Sequence, residues 1–463
     1  MITRRATVFC IALLASTFAP DVFAADYLEL QNFHLIDGTG APERLVQRLV
    51  ARDGTIVMID EDGEMPTPKA TSTWARVALD GAWVIPGLID THVHVARFPD
   101  AHAKAESILQ RAVRGGITGV RDLGGDARAL AELERASGRH EIILPHLVFS
   151  AVFGGPDIFR QGPLAEMSSG RVPGDAPWTR LVTAPTDLRR ILAEARGSGT
   201  TNIKVYGDLD PALAKRLIRE AGRQGLLTTA HATVFPARPG ELVSAGIGSL
   251  SHAAYLVWEA ADFVPDDYRQ RIAGPWDSIA PDHPRLLALY RRMAERGVTL
   301  DATLFVYKAM QSYPGVPKMD WTEAAFAWGA GATRFAREAG VRVTTGTDWF
   351  EPRDDFGPAY ARGARPARRS SRIHAHASPG RGNVEWCLRA GSCQDSLDCR
   401  SRKDRRSPRT RRRSAGRYPQ YHPHPLYRSA RRNRSAGIAA DTGVSCSAPD
   451  PAQSARAGIS SPR

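Results

Sequence analysis

Two histidines, His92 and His94, stand one residue apart at the end of the apolar stretch VIPGLIDTHVHV, residues 84–95. Side chains along a strand alternate in direction, so both imidazoles are expected on one side of a strand that resumes after the Pro86-Gly87 break. Neutral imidazole is a ligand for zinc, nickel, iron and copper, and two converging imidazoles make half of a metal site. A lone HxH pair also arises by chance, so other residues must decide between these interpretations.

Four more residues with metal-binding or acid–base chemistry end predicted strands: Lys204, His231, His252 and Asp348. Each has an alternative structural explanation, as a hydrogen-bonded buried lysine, a core histidine or a helix cap. Barrel enzymes place their chemistry at the carboxyl ends of the strands. Together with the HxH pair, this distribution favours a functional site.

The elements that must position these residues are strands alternating with helices from residue 84 onward. Such alternation predicts parallel β/α units, and eight of them over about 265 residues match a (β/α)8 barrel. A doubly wound sheet has the same alternation and stays open as an alternative. Helices are predicted at 127–137, at 211–224 with Asp210 as N-cap, and at 284–296. The predicted strands are 84–95, 117–123, 142–151, 202–206, 226–232, 247–252, 298–304 and 341–347.

A small β unit precedes the barrel. Residues 27–36 alternate apolar and polar side chains, and shorter β-like runs follow at 49–51, 55–59 and 77–79. The expected fold class is therefore α/β, a (β/α)8 TIM barrel with a small β-sandwich-like domain and an aberrant C-terminal part. The predicted domains are residues 25–83 for the β unit and 84–355 for the barrel.

Residues 1–24 have the pattern of an export signal. Arg4 and Arg5 precede the apolar run 8–15, and Val22-Phe23-Ala24 forms a small-residue cleavage site. The run is too short to span a bilayer, so no stable membrane anchor is expected. The alternative is a buried N-terminal helix. A periplasmic or secreted location is predicted, and the folded part contains no cysteine after processing, which excludes a disulfide framework or a thiolate metal site there.

The net charge of +13 is concentrated in the C-terminal tail. Residues 357–463 carry 23 basic and six acidic residues, a net charge of +17, which leaves −4 on the remainder. The tail lacks helical or strand periodicity, and its composition is that of a disordered or nucleic-acid-binding segment. It lacks the interleaved aromatic residues of a single-strand binding surface, so no nucleic-acid partner is expected.

Seven short motifs occur in order along residues 28–354. They are IDGTG (36–40), IPGLIDTHVHV (85–95), GITGVRDLGG (116–125), IKVYGD (203–208), TTAHA (228–232), GIGSLSHA (246–253) and TTGTDW (344–349). Single motifs are weak, but their combination and order are specific. With them the chain resembles the amidohydrolase superfamily and, within it, secreted imidazolonepropionase-like and prolidase-like enzymes.

The resemblance implies a centre of two divalent metal ions, with zinc the expected metal. By position, the more buried ion would be held by His92, His94 and Asp348. The more exposed ion would be held by His231 and His252. Two such ions share a hydroxide, lower its pKa and polarise a substrate carbonyl.

Lys204 would bridge the two ions after N-carboxylation by carbon dioxide, because a free ammonium cannot bind a cation whereas its carbamate offers oxygen donors. A lysine at this strand also argues against the one-metal deaminase branch. Asp348 would take the proton of the bridging hydroxide as general base and deliver it to the leaving amine as general acid. The implied reaction is hydrolysis of an amide, peptide or cyclic amide.

The implied substrate is a small molecule or dipeptide, and a homo-oligomer is compatible with the family. Two long segments, Gly/Pro-rich 153–178 and an aromatic-rich stretch with Tyr255, Trp258, Phe263, Tyr268 and Trp276, are expected over the rim. Tyr206 and Tyr255 are the expected substrate contacts. Relatives often have a substrate-binding histidine after strand three, where this chain reads Gly154-Gly155-Pro156.

The resemblance ends near residue 355, and residues 356–463 replace an expected eighth helix. Permitted codons for residues 382–387 and 417–429, shifted by one base, encode segments similar to the missing family C-terminus. A reading-frame shift is therefore our hypothesis for the tail. The alternative function is a catalytically inactive relic, because the lost helix would leave apolar strand surface uncovered.

Overall fold

Residues 26–348 carry nearly all of the structure described by the computed structural model. The predictions for residues 1–24, and for the tail outside two strands, lie outside the described residues. No described helix combines the length and the apolar composition that a bilayer crossing requires. The described residues are 26–60, 62–63, 67, 71–160, 162–312, 319–348 and the backbone of 373–377 and 384–388.

The small β unit is a six-stranded sheet built around its first strand. The central strand pairs antiparallel with the second and parallel with the fifth and sixth. Phe33 and Val46 face each other in the register of the first two strands and are fully buried. The strands are β1 (Tyr27–Leu35), β2 (Arg44–Arg52), β3 (Thr55–Ile59), β4 (Asp62–Gly63), β5 (Trp74–Ala78) and β6 (Trp83–Val84).

The second sheet contains eight parallel strands in sequential order, with two short strands at one edge of the third. The parallel strands are β7, β8, β9 and β12 to β16. The ranges are β7 (Leu88–Val93), β8 (Ile117–Asp122), β9 (His146–Gly154), β10 (Asp175–Ala176), β11 (Thr179–Leu181), β12 (Asn202–Val205), β13 (Leu227–His231), β14 (Ser249–Ser251), β15 (Thr299–Asp301) and β16 (Val343–Thr344).

The first and last parallel strands meet and nearly close the barrel. The amide of Thr91 donates to the carbonyl of Thr345 at 3.0 Å, and the amide of Asp348 donates to the carbonyl of His92 at 2.8 Å. A doubly wound sheet has two open edges, so these bonds decide for the barrel. The predicted fold class is confirmed.

Amphipathic helices connect the strands. In α5, Asp210 accepts bonds from the amides of Ala212 and Leu213, and Leu217 is among the residues that pack inward. The helices are α1 (Ala101–Arg114), α2 (Ala127–Gly138), α3 (Gly162–Met167), α4 (Leu188–Gly197), α5 (Pro211–Arg223), α6 (Pro239–Ala245), α7 (Pro284–Glu295), α8 (Leu304–Ser312) and α9 (Trp321–Glu338).

Three local predictions differ from the structure. The strand predicted at 142–151 runs from His146 to Gly154, because Pro145 lacks the N–H that a ladder needs. The segment 153–178 holds a 3-10 helix, α3 and β10, and the indole N–H of Trp178 donates to the Met167 carbonyl at 2.9 Å. The tail, predicted without strands, contains the antiparallel pair β17 (Ile373–Ala377) and β18 (Val384–Leu388), whose sequences hold strand-favouring residue types.

Candidate active site

The six predicted ligands meet at the carboxyl end of the barrel. His92 lies on β7, with His94 just beyond it, and Lys204 lies on β12. His231 ends β13, His252 directly follows β14, and Asp348 lies four residues after the end of β16. Because parallel strands end at one rim, residues far apart in the chain are brought together there.

The carboxylate of Asp348 lies among three imidazoles. Its Oδ1 is 3.3 Å from Nε2 of His92 and 3.4 Å from Nε2 of His94. Its Oδ2 is 3.8 Å from Nδ1 of His252. One ligand atom from each of His92, His94 and Asp348 falls within 4.8 Å of the others, a spacing that allows all three to bind one ion.

The remaining histidines form a second group beside the first. The ring centroids of His231 and His252 are 4.6 Å apart, and that of His252 is 5.2 Å from His92. The charge of Lys204 contributes to lowering the pKa of all three imidazoles, so its amine lies close enough to interact with them electrostatically. The structure thus brings both predicted groups of ligands and the predicted bridging lysine into one cluster.

Three buried polar atoms in this cluster have no hydrogen-bond partner among the described residues. They are Nε2 of His92, Nζ of Lys204 and Nδ1 of His231. The 3.3 Å approach of Asp348 to Nε2 of His92 lacks the angles of a hydrogen bond. Buried polar atoms without partners carry a desolvation cost, so native proteins usually satisfy them with a protein group, water or a ligand. Among the described residues Lys204 thus has no group that would make it a hydrogen-bonded core lysine, and the nitrogen and oxygen donors here fit divalent zinc.

Burial sets the protonation of these ligands. It lowers the pKa of His92 and His231 well below their ordinary value and that of His252 to about 4. The imidazoles are therefore neutral near pH 7 and able to bind metal. Burial also lowers the pKa of Lys204 to about 7, although Asp301 and Asp348 oppose this shift.

A supporting set of polar groups fixes the orientation of the histidines. Nδ1 of His92 lies 2.6 Å from Oδ2 of Asp301, and Nδ1 of His94 lies 3.0 Å from the carbonyl oxygen of Gly124. Nδ1 of His252 is 2.8 Å from Oγ1 of Thr303. With each Nδ1 held in this way, Nε2 is the nitrogen left for a ligand.

Sequence reasoning did not identify Asp301 or Thr303. The sequence does contain a signal for Asp301. This residue ends β15, just as the predicted ligands lie at or after the ends of their own strands. It is fully buried, and it also accepts a hydrogen bond from the hydroxyl of Ser251 at 3.1 Å. Asp301 therefore supports a ligand rather than joining the predicted ligand set.

Aromatic side chains stand beside the second group of histidines. The ring of Tyr206 is 4.3 Å from that of His231, and the ring of Tyr255 is 5.2 Å from that of His252. Tyr268, which the sequence placed over the rim without a role, stacks on His231 at 5.4 Å. Phe263 from the same segment is 71% exposed, so only part of the aromatic-rich stretch packs at the site.

The sequence and the fold are similar to those of known proteins. The sequence profile of the Amidohydrolase family matches residues 83–349. An uncharacterized protein of Mycobacterium tuberculosis (strain ATCC 25618 / H37Rv) is 28% identical over 309 residues, which are 62% of this chain and 69% of that protein.

Two solved structures share the fold. One is a Xaa-Pro dipeptidase with bound methionine in its active site, with 16% identity, a TM-score of 0.52, and coverage of 72% of this chain and 82% of that one. The other is a prolidase complexed with N-methylphosphonate-L-proline, with 20% identity, a TM-score of 0.52, and coverage of 70% and 78%. At these identities the likeness concerns the fold.

Proposed function

Because the chain belongs to the amidohydrolase family, whose profile covers residues 83–349, we propose that it is a metal-dependent hydrolase of a carbon–nitrogen bond. The substrate class is an amide, peptide or cyclic amide. The observation that supports this proposal is the cluster of imidazoles, one carboxylate and one lysine, in which three buried atoms lack hydrogen-bond partners among the described residues.

The ligands would form two sets. His92, His94 and Asp348 would hold one divalent ion, and His231 and His252 the other. Zinc suits this set of nitrogen and oxygen donors. When bound, such ions supply Lewis-acid activation of water and of the substrate carbonyl.

Lys204 would act as the bridge between the two sets. Its amine is buried and lacks a hydrogen-bond partner among the described residues. Because burial lowers its pKa to about 7, a large fraction of this amine is neutral in mildly alkaline solution. Only the neutral amine reacts with carbon dioxide, and the resulting carbamate resembles a carboxylate in its oxygen donors.

Asp348 would move the proton during hydrolysis. Burial alone would raise its pKa, but the surrounding His92, His94 and His252 lower it below the ordinary value, so the carboxylate is ionised at neutral pH. As water adds to the carbonyl carbon, Asp348 accepts a proton from that water. It then delivers the proton to the leaving nitrogen as the carbon–nitrogen bond breaks.

The three tyrosines Tyr206, Tyr255 and Tyr268 would form the wall against which a small molecule or dipeptide binds. Tyr255 is buried, and its ring lies 6.0 Å from that of His231. We also propose that residues 1–24 direct the chain out of the cytoplasm, since they have the basic, apolar and small-residue regions of an export signal.

The full chain, supplied with zinc and bicarbonate, tests this function. We expect about two zinc ions per chain by mass spectrometry and release of amine from N-acyl amino acids, dipeptides or cyclic amides. Asp348→Asn is expected to lower kcat by about 10²- to 10⁴-fold. Asp262→Asn, at a fully exposed side chain, is the matched control.

Each other outcome has a definite meaning. Two bound ions without hydrolysis of any tested compound would favour the inactive relic. Fewer than two ions under zinc and bicarbonate would contradict the two-metal site. Equal kcat for the wild type and Asp348→Asn would contradict the role of Asp348.

A further inference from the structure

We propose that Arg271 binds a carboxylate of the substrate, so that the enzyme acts on amides carrying a free carboxylate close to the scissile bond. This inference rests on the proposed function, because it concerns the substrate of the same site. It assigns a role to a residue outside the predicted ligands and substrate contacts.

The position of Arg271 follows from a short 3-10 helix, Tyr268–Ala273. The guanidinium carbon lies 4.4 Å from the ring centroid of Tyr268. That ring stacks on His231 at 5.4 Å with an interplanar angle of 12°. A single aromatic ring therefore links the guanidinium to a predicted metal ligand, and a short substrate can reach both.

Polar contacts of Arg271 come from neutral groups. One Nη donates to the carbonyl of Tyr268 at 3.4 Å, and the guanidinium interacts with the hydroxyl of Tyr255. Among the described residues, no carboxylate lies within 4.0 Å of the Arg271 guanidinium.

Two neighbouring arginines, unlike Arg271, form close ion pairs with acidic side chains. Arg269, two residues away in the chain, lies 3.0 Å from a carboxylate oxygen of Asp267. Arg97, whose charge also reaches Tyr206, lies 2.7 Å from Glu166. Both of these cations have an acidic partner within the chain. Arg271 differs from both, since the nearby charge of Asp267 interacts with it only from beyond 4.0 Å among the described residues.

The chemistry of the missing partner is that of a carboxylate. A partly buried charge is costly unless it is paired, and a cation–π contact offsets only part of that cost. The planar guanidinium matches the two oxygens of a carboxylate in a bidentate pair. Tyr255 and Tyr206 would add a hydroxyl donor and an aromatic wall beside that carboxylate.

A matched pair of ligands tests the proposal by binding. We would titrate the metal-free full chain with N-acetyl-L-leucine and with N-acetyl-L-leucine amide by calorimetry, which does not require turnover. The wild type is expected to bind the acid more tightly. Arg271→Met is expected to weaken acid binding by about 10- to 100-fold and to leave the amide unchanged.

Two further variants test whether weaker binding of the acid by Arg271→Met results from loss of the guanidinium or from a change in the fold. Arg271→Lys keeps the charge without the planar fork and is expected to retain part of the preference for the acid. Arg269→Met is the control, because that arginine is exposed and paired with Asp267. Zinc content after metal loading should be the same in all variants.

The inference and the proposed function fail differently. Equal affinity of the wild type for the acid and the amide, or equal weakening of both ligands in Arg271→Met, would overturn the carboxylate subsite. Neither result would affect amide hydrolysis by the zinc-loaded chain. A preference for the acid that depends on Arg271, without hydrolysis, would keep the subsite and reject the enzyme function.

Discussion

His92 and Asp301 form a buried pair across the barrel, with 2.6 Å between Nδ1 of the histidine and Oδ2 of the carboxylate. They come from β7 and β15, and the chain after β16 passes between these two strands. Gly346 makes this approach possible. A Cβ at this position would lie 2.1 Å from Oδ1 of Asp301 and 2.6 Å from Cβ of His92.

Replacing Asp301 should weaken metal binding without removing a ligand. Asp301→Asn loses the charged acceptor that orients the His92 ring, so zinc affinity is expected to fall about 10- to 100-fold. A chelator competition assay measures this change. Asp262→Asn should bind zinc like the wild type, and zinc affinity in Asp301→Asn equal to that of the wild type would remove the orienting role from Asp301.

Replacing Lys204 should show whether metal binding requires oxygen donors at this position and whether a carboxylate can substitute for the carbamate. Lys204→Met is expected to lose bound metal, because the oxygen donors that the carbamate would supply to both histidine sets are absent. Lys204→Glu supplies a carboxylate and should retain part of the metal, independent of bicarbonate. The measurement is zinc content by mass spectrometry with and without bicarbonate.

Lys215→Met is the matched control for that experiment. Lys215 lies in a partly exposed ion pair with Glu241 at 3.0 Å, and such pairs contribute little to stability. It should bind metal like the wild type. If Lys204→Met also kept two zinc ions, the bridging role of Lys204 would be wrong.

The rim turn after β9 should tolerate no side chain at Gly155. A Cβ there would lie 1.8 Å from the carbonyl oxygen of Asp208, and the Gly155 amide already donates to Gly207 at 3.0 Å. Gly155→Ala is expected to destabilise the protein by about 1–3 kcal/mol, because the backbone of one rim loop must move. Denaturant unfolding measures the loss.

Gly138→Ala provides the comparison. Gly138 ends α2, and a Cβ there would meet nothing within 4 Å. The unfolding free energy of Gly138→Ala should equal or slightly exceed that of the wild type, since alanine favours helix more than glycine does. Equal destabilisation of the two variants would show that the contact with Asp208 is not the cause.

The buried Glu259 should make stability depend on pH. Burial raises the pKa of its carboxyl, although the amide of Gly240 and the charge of Arg292 lower it in part. The folded protein therefore keeps a proton that the unfolded chain releases as pH rises through the ordinary glutamate pKa of about 4.3. The stabilising contribution of Glu259 is full below that pH and is lost as pH rises through the higher folded pKa.

Glu259→Gln cannot titrate and isolates this effect. The unfolding free energy of the wild type relative to Glu259→Gln is expected to fall as pH rises from about 4 towards 7. Urea unfolding at several pH values measures the difference. A constant difference across this range would contradict the raised pKa of Glu259.

Local patterns in the sequence predicted the alternation of strands and helices and placed the candidate ligands at strand ends, whereas the choice between a barrel and a doubly wound sheet stayed open. Strand alternation, helix periodicity and caps such as Asp210 depend on neighbouring residues, which the sequence displays directly. The placement of His231 at the end of its strand follows from the same patterns. Parallel strands in a barrel then require these ends to share one rim.

Only the tertiary structure decided which atoms face one another. Asp301 is 209 residues from His92 in the chain, and their 2.6 Å contact depends on barrel closure and strand register. The stacking of Arg271 on Tyr268 depends on how one rim segment packs over the barrel. Periodicity predicts the face on which a side chain lies, whereas its contacts depend on the position of every strand and loop around it.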